Sequence, residues 1–201
     1  MKVKSILTAA IALLCTACTA QTPQQNQSEQ NAMNTQGKSL IVFFSHAGEN
    51  YAVGNIEVGN TKIVADYISE ATGADLFEIV CEKDYDMPYM DLIEVAKAET
   101  NSGELPAYKG DVDCTPYDTI FIGGPIWWGT YPQVMFTFFR DHDLSGKTIV
   151  PFVTHEGSGL ASTVSDLKKA YPDANVLPGF AMYGHDVRTN KEKVLKWLKN
   201  L

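Results

Sequence analysis

Two short segments, 45–47 and 59–61, have the residue types of a phosphate-binding loop. Both are rich in small and hydroxyl-bearing residues, and the second stands at the predicted start of a helix. Hydroxyl groups and free backbone amides at a helix N-terminus bind phosphate. Serine, asparagine and threonine are also ordinary helix caps, so capping alone is an alternative explanation. The candidate phosphate-binding residues are Ser45, His46, Ala47, Asn60 and Thr61.

Two adjacent tryptophans mark a second candidate segment, 125–129. Neighbouring side chains point in different directions on any regular element, so a core accommodates one of Trp127 and Trp128 more easily than both. At least one indole is therefore expected to line a surface cleft, where it could stack on a flat ring. The glycines on either side, Gly123, Gly124 and Gly129, are expected to let the backbone approach such a ring closely. Two core aromatics in a tight loop are the alternative. The candidate ring-binding residues are Pro125, Ile126, Trp127, Trp128 and Gly129.

A third segment, 156–159, consists of small residues after an acidic one. Its amides and its serine hydroxyl suit the polar edge of a heterocycle, although a plain turn has the same composition. The candidates here are Glu156, Gly157, Ser158 and Gly159. The nearby histidines, His155 and His185, have no nucleophile to act on and are interpreted as solvated loop residues.

The elements that must position these segments are predicted from hydrophobic periodicity. Short apolar runs alternate with amphipathic stretches of helical period, which indicates a parallel sheet with helices on both faces. The predicted strands are Leu40–Ser45, Asp75–Cys81, Thr119–Gly123, Thr148–Thr154 and Val176–Met182. The predicted helices are Thr61–Thr72, Asp91–Thr100, Pro132–Arg140, Ala161–Tyr171 and Lys191–Asn200. Each candidate segment therefore follows a strand.

Together these features resemble the flavodoxin-like family that binds FMN, and especially its bacterial branch with PIWWG and THEGSG loops, here 125–129 and 154–159. The resemblance runs from Leu40 to the C-terminus. It implies an α/β three-layer sandwich, in which a five-stranded parallel sheet of order 2-1-3-4-5 carries helices on both faces. Flavodoxin is itself a standard example of a ligand bound at the carboxyl ends of parallel strands.

The same resemblance implies the cofactor and its contacts. FMN would lie with its phosphate at Ser45 and Thr61, although residues 48–58 interrupt the phosphate loop in this sequence. Its isoalloxazine ring would lie between 125–129 and 156–159, with Trp127 or Trp128 stacked on it. No catalytic acid or base is required for electron transfer through a bound flavin.

The implied function is electron transfer to a redox partner protein, a quinone or another small acceptor. One alternative is an FMN-dependent oxidoreductase that acts on NAD(P)H or a quinone. A second alternative is a ligand-binding module that keeps the fold without redox chemistry. The sequence leaves open whether the chain is an enzyme, because fold resemblance does not identify the partner.

Composition and spacing argue against other classes. The formal net charge of −8 disfavours a nucleic-acid backbone as partner. The histidines are scattered and there is no CxxC, so no metal site is expected. Ser158 stands in EGSGL rather than GxSxG, which argues against a hydrolase nucleophile. Cys81 and Cys114 fall on non-neighbouring strands and are expected to be free, mostly buried thiols.

The N-terminal residues 1–20 have the pattern of an export signal. Lys2 and Lys4 precede an apolar run over 6–14 that is too short to span a bilayer. The run ends in LCTAC, which resembles a bacterial lipobox and makes Cys18 the predicted lipidation site, with cleavage after Ala20 as the alternative. Residues 21–37 are predicted to be a flexible tether and 38–201 the flavodoxin-like domain. The expected location is the bacterial periplasm or cell envelope, with the N-terminal lipid as the only contact with the membrane.

Cys18→Ala is expected to move the protein from the membrane fraction to the soluble fraction. The substitution removes the thiol that takes the lipid, and with it the apolar area that the lipid contributes to membrane binding. Cell fractionation with immunodetection measures the distribution. Retention of the variant in membranes would refute lipidation at this position.

Overall fold

The structure, a computed structural model, describes residues 37–201. The predicted export signal, the lipidation site Cys18 and all but the last residue of the predicted tether lie outside this range. The strands, in chain order, are β1 Ser39–Phe43, β2 Gly48–Asn50, β3 Gly54–Ile56, β4 Asp75–Glu78, β5 Val80–Cys81, β6 Tyr108–Lys109, β7 Thr119–Pro125, β8 Thr148–His155, β9 Asn175–Val176 and β10 Phe180–Tyr183. The helices are α1 Asn60–Thr72, α2 Tyr89–Ser102, α3 Gln133–Asp141, α4 Thr163–Ala170 and α5 Lys191–Leu198.

A parallel sheet of order β4-β1-β7-β8-β10 forms the middle layer. Counted among these strands alone, the order is 2-1-3-4-5, which confirms the predicted fold class. The short β9 pairs with the beginning of β8 and lies in line with β10. Since parallel strands need a crossover connection, a helix separates each of these strands from the next.

Alternate residues of the strands face two separate cores, as expected for a sheet covered on both sides. On one face, Leu40 and Val42 of β1 pack with the buried residues of α2, α3 and α4. On the other face, Ile41 and Phe43 pack with those of α1 and α5. Helices on both faces complete the three layers. Among residues 37–201, no helix has the length and apolar character that crossing a membrane requires.

Two predicted strands are interrupted in the structure. The predicted strand Asp75–Cys81 leaves the main sheet after Glu78, and its last two residues form β5, which pairs antiparallel with β6. The predicted strand Val176–Met182 is divided into β9 and β10. Pro178 stands in this gap and has no N–H to donate to the ladder.

The predicted helices are all present with shifted ends. The second begins at Tyr89 rather than Asp91. Pro132 precedes α3 as its cap instead of being its first residue, while Gly73 ends α1 in the left-handed conformation, as predicted. Of the two cysteines in the described range, Cys114 is a buried free thiol and Cys81 a half-buried one.

The glycines at the end of β7 are needed for close packing within the core. A Cβ at Gly123 would lie 2.0 Å from the Phe152 ring, and one at Gly124 would lie 2.8 Å from the Tyr131 ring. The sequence interpretation assigned these glycines to the approach of a flat ligand ring. That interpretation is wrong for both, because protein rings already fill the space.

Gly123→Ala is expected to lower the free energy of unfolding by about 1–3 kcal/mol, since a methyl group must displace the buried Phe152 ring. Chemical denaturation measures the loss. The double variant Gly123→Ala, Phe152→Leu should recover part of it, because leucine lacks the ring atoms that clash. An unchanged denaturation midpoint for Gly123→Ala would contradict the packing described here.

Candidate functional site

A cavity of about 400 Å³ opens where the parallel strands end. We call it the carboxyl-edge cavity. The residues that follow β1, β7 and β8 line it, together with the N-terminus of α1. Its remaining wall is formed by α2 and by the β2–β3 hairpin.

Gly59 brings α1 against the loop that follows β1. A Cβ at this position would lie 2.2 Å from Ser45 Oγ and 2.6 Å from the His46 carbonyl oxygen, so only glycine fits. Ser45 Oγ accepts a hydrogen bond of 3.0 Å from the Lys62 amide. Among the described residues, the amides of Asn60 and Thr61 have no acceptor, and both residues line the cavity. Ser45 therefore supports the helix terminus, while the free amides belong to residues that line the cavity.

Two buried threonine hydroxyl groups meet at the floor of the cavity. Thr61 Oγ1 and Thr154 Oγ1 are 2.8 Å apart. One hydroxyl donates to the other, which leaves the second proton of the pair free for another acceptor. Both residues line the cavity, so this proton is a donor available to a ligand.

His46 contributes a buried nitrogen without a partner. The residue is only 9% exposed, and its Nε2 has no hydrogen-bond partner among the described residues. Burial lowers the pKa of its imidazole below the ordinary value, although the backbone of Glu49 and the carboxylate of Asp86 oppose the shift. The ring is therefore neutral near pH 7, and His46 is one of the residues that line the cavity.

The interrupting segment 48–58 forms the β2–β3 hairpin, which packs against α2. Glu49 Oε2 accepts a hydrogen bond of 2.9 Å from the amide of Tyr89, the first residue of α2. Because Pro88, the residue before the helix, provides no capping side chain, Glu49 caps α2 in its place. The ring of Tyr51 stacks on that of Tyr89 with 6.1 Å between centroids.

Arg188 fixes the end of the same segment. Its Nη2 donates to the Val58 carbonyl oxygen at 2.7 Å, and its Nη1 donates to Asn60 Oδ1 at 2.6 Å. The guanidinium group thus connects the segment after β10 to the first residue of α1. The position of Asn60 depends on a residue from the far end of the sequence.

Trp128 and Gly129 form a two-residue turn, which Trp127 precedes. Trp127 and Thr130 exchange backbone hydrogen bonds of 2.9 and 3.2 Å, and the two residues between them have positive φ angles. Positive φ is ordinary for Gly129 but uncommon for a bulky residue such as Trp128, whose φ is +49°. The Trp128 backbone is therefore strained, and the turn fixes its indole beside the cavity. Backbone strain of this kind is often found at functional sites.

The two indoles point in different directions, and both line the cavity. Trp127 packs edge-on against Phe44 and Tyr85, with centroids 5.5 and 5.3 Å away. Trp128 remains 50% exposed, and its Nε1 donates to the Ile93 carbonyl oxygen at 2.9 Å. The first indole is part of the core, and the second is attached to α2.

A buried carboxylate, that of Glu99, fixes Tyr85, which in turn contacts Trp127. Glu99 is 1% exposed and accepts hydrogen bonds from Lys83 Nζ at 2.5 Å and from the Tyr85 hydroxyl at 3.0 Å. Burial is the main cause that raises the pKa of Tyr85 well above its usual range. Tyr85 therefore remains protonated, and its edge contact with Trp127 fixes the indole.

The loop after β8 is held to the turn after β10 by hydrogen bonds between Glu156 and His185. Glu156 Oε2 lies 2.6 Å from His185 Nδ1, and Oε1 accepts from the His185 amide at 2.9 Å. His185 is exposed, as the interpretation of the loop histidines as solvated predicted, and it also pairs with Glu156. For His155 that interpretation is wrong, because the residue is half-buried at the end of β8 and lines the cavity.

The structure brings together residues from all three predicted segments. Those that line the cavity are His46, Asn60, Thr61, Pro125, Ile126, Trp127, Trp128, Glu156 and Ser158. Those outside the lining are Ser45, Ala47, Gly129, Gly157 and Gly159. Ser45 and Gly129 still shape the site, through the helix contact and the turn described above.

Sequence reasoning missed the wall opposite these loops. The unpredicted lining residues are Glu49, Asn50, Tyr51, Val53, Tyr89, Leu92, Ile93, Ala96, Thr154, His155 and Gly184. The apolar residues of α2 have the pattern of an ordinary core-facing helix, and the hairpin is too short for a clear strand signal. Among residues 37–201, no group of histidine, cysteine and acidic side chains could hold a metal ion.

Comparison with known proteins assigns the family. The sequence model of the flavodoxin family matches residues 38–201, so the chain belongs to that family. No curated protein matches the chain.

The solved structures to which the chain is similar include a candidate flavoprotein from Bacteroides eggerthii. That protein is 32% identical, with 82% of this chain and 97% of that one covered and a TM-score of 0.66. A candidate flavoprotein from Bacteroides uniformis is 30% identical, with 82% and 99% covered and a TM-score of 0.67. A flavoprotein from Lactobacillus acidophilus in complex with FMN shares the fold at 22% identity, with 79% and 99% covered and a TM-score of 0.56.

The buried His46 predicts a specific pH dependence of stability. Its lowered pKa means that the unfolded chain takes up a proton more readily than the folded protein does. The contribution of neutral His46 to the free energy of unfolding is fully present above the ordinary histidine pKa of about 6.5. It is lost as pH falls toward the lowered pKa of the folded protein. Between about pH 7.5 and about pH 5, the wild type should therefore lose more unfolding free energy than His46→Gln. Denaturant titrations of both proteins at both pH values measure this difference. If the wild type and His46→Gln lose the same unfolding free energy, His46 does not take up a proton when the protein unfolds.

Proposed function

We propose that this protein binds FMN in the carboxyl-edge cavity and transfers electrons through the bound flavin. The observation that carries the proposal is the meeting of the α1 N-terminus and the two tryptophans in one cavity. This arrangement combines phosphate-binding amides with aromatic faces, and FMN carries a phosphate and a flat ring in one molecule. The shared fold of the Lactobacillus acidophilus FMN complex supports the same choice.

The phosphate end of FMN would lie at the start of α1. Asn60 and Thr61 line the cavity and have free amides, and the helix dipole favours negative charge at this end. The spare proton of the Thr61–Thr154 pair adds a hydroxyl donor. His46 Nε2 is a buried polar atom that costs free energy while unpaired, so a ligand atom that pairs with it stabilises the complex. These groups fit a phosphate ester and its adjoining hydroxyl chain.

The ring end of FMN would lie among the residues of the two later loops. Trp127 and Trp128 offer indole surfaces, and the backbone at Pro125 and Ile126 reaches the same cavity. Glu156 is fixed by His185 and so presents a defined polar edge beside Ser158. FMN supplies reversible one- or two-electron redox chemistry, and these residues would set its orientation and exclude water.

The electron partner would be a redox protein, a quinone or another small acceptor. The exposed Trp128 and the open mouth of the cavity leave the ligand accessible from outside. We place this activity in the bacterial cell envelope, on the strength of the export pattern and Cys18 in the sequence. Reduced nicotinamide is scarce there, which favours quinol or protein donors over NAD(P)H.

The purified protein is expected to take up FMN from solution, with a bound-flavin absorbance band that bleaches and recovers on anaerobic reduction and reoxidation. Thr61→Val should weaken FMN binding by about 10- to 100-fold, since one charge-assisted hydrogen bond contributes roughly 1.5–3 kcal/mol. Riboflavin lacks the phosphate, so its binding should change much less. Titration of each variant with both flavins measures the effect.

Thr72→Val, at the opposite end of α1, is the matched control and should bind FMN like the wild type. If the wild type binds no FMN at micromolar concentration, the cofactor assignment is wrong. Equal weakening of FMN and riboflavin by Thr61→Val would instead place the phosphate elsewhere in the cavity.

A further inference from the structure

The carboxyl-edge cavity has two halves of different chemistry. The polar half contains the α1 N-terminus, His46, Thr154 and Glu156. The apolar half lies between the β2–β3 hairpin and α2 and is lined by Tyr51, Val53, Tyr89, Ile93, Ala96 and Trp128. The predicted FMN contacts fall mostly in the polar half and along the Trp127–Trp128 turn. The apolar half is additional surface built by an inserted hairpin.

Three polar groups of the apolar half already have partners. Trp128 Nε1 is used by the Ile93 carbonyl oxygen at 2.9 Å. Glu49 Oε2 is used by the Tyr89 amide at 2.9 Å. The amide group of Asn50 donates to the Gly48 carbonyl oxygen at 3.1 Å. What remains for a ligand is aliphatic surface, aromatic faces and the hydroxyl groups of Tyr51 and Tyr89, which suit a planar, mostly apolar molecule with a few polar atoms.

Charge further narrows the class of ligand. Within the described part of the chain, no lysine or arginine lines the cavity. The amides of α1 can take one phosphate, but a second anionic group would meet Glu49 and neutral side chains in the lining of the apolar half. Lys97 lies outside this lining, with its Nζ 5.0 Å from the centre of the Trp128 ring. A nicotinamide dinucleotide carries a pyrophosphate, so an uncharged aromatic compound fits better.

We propose that the apolar half is a substrate subsite for an uncharged quinone of one or two rings, bound beside FMN. This inference rests on the proposed function, because quinones are flat, apolar compounds that exchange electrons with flavins. The quinone would gain two electrons and two protons and leave as the quinol. Reduced FMN would supply both electrons and two protons, directly or by exchange with water, and would thereby be oxidised.

Equilibrium dialysis of menadione, an uncharged two-ring quinone, against the oxidised FMN-loaded protein tests the subsite without electron transfer. The wild type should bind menadione and retain its FMN. Val53→Glu should weaken menadione binding at least tenfold, because it places a carboxylate in the apolar half. Val58→Glu is the matched control, since Val58 belongs to the same inserted segment but is exposed outside the cavity lining.

A second variant, Tyr89→Leu, keeps the apolar volume and removes an aromatic face, so it should weaken menadione binding by a smaller factor than Val53→Glu does. Flavin absorbance before and after dialysis reports FMN in every sample. If the wild type takes up no FMN, the proposed function fails. If FMN binds but menadione does not, or if menadione displaces FMN, only the subsite is overturned. Equal effects of Val53→Glu and Val58→Glu also overturn it.

Discussion

The close approach of Gly59 to the loop after β1 is the contact on which the site depends. Without a side chain, the Gly59 backbone reaches Ser45 Oγ and the His46 carbonyl oxygen, and the Lys62 amide then closes a hydrogen bond to Ser45. The contact brings the start of α1 to the end of β1, although a hairpin is inserted between them. Two segments that are separate in the sequence therefore form one continuous surface.

Much of this surface could be predicted because it follows from the rules of parallel sheets. Buried strands give clear apolar runs, and the carboxyl ends of parallel strands converge at one edge. That reasoning located His46, Thr61 and both tryptophans in a single cavity. The strand order came from family resemblance, since hydrophobic runs alone do not say which strands are neighbours.

The rest depended on contacts that sequence patterns do not record. The hydrogen bond between Glu49 and Tyr89 joins residues 40 positions apart. The sequence alone does not distinguish a glutamate that caps a helix from one that is solvated. Gly123 resembled a ligand-facing glycine, although its space is filled by Phe152 from the neighbouring strand. In each case the physical reason is a three-dimensional neighbour, which local composition does not specify.

The β2–β3 hairpin has a consequence for the order in which the protein assembles. Two short strands are marginally stable by themselves, and this hairpin gains its anchorage from the Glu49 and Tyr51 contacts with Tyr89. It can persist only after α2 has docked on the sheet. One wall of the cavity is therefore set by the folding core, and the opposite wall forms late and opens first. Such transient opening would widen the mouth of the cavity for a large ligand without disturbing the sheet.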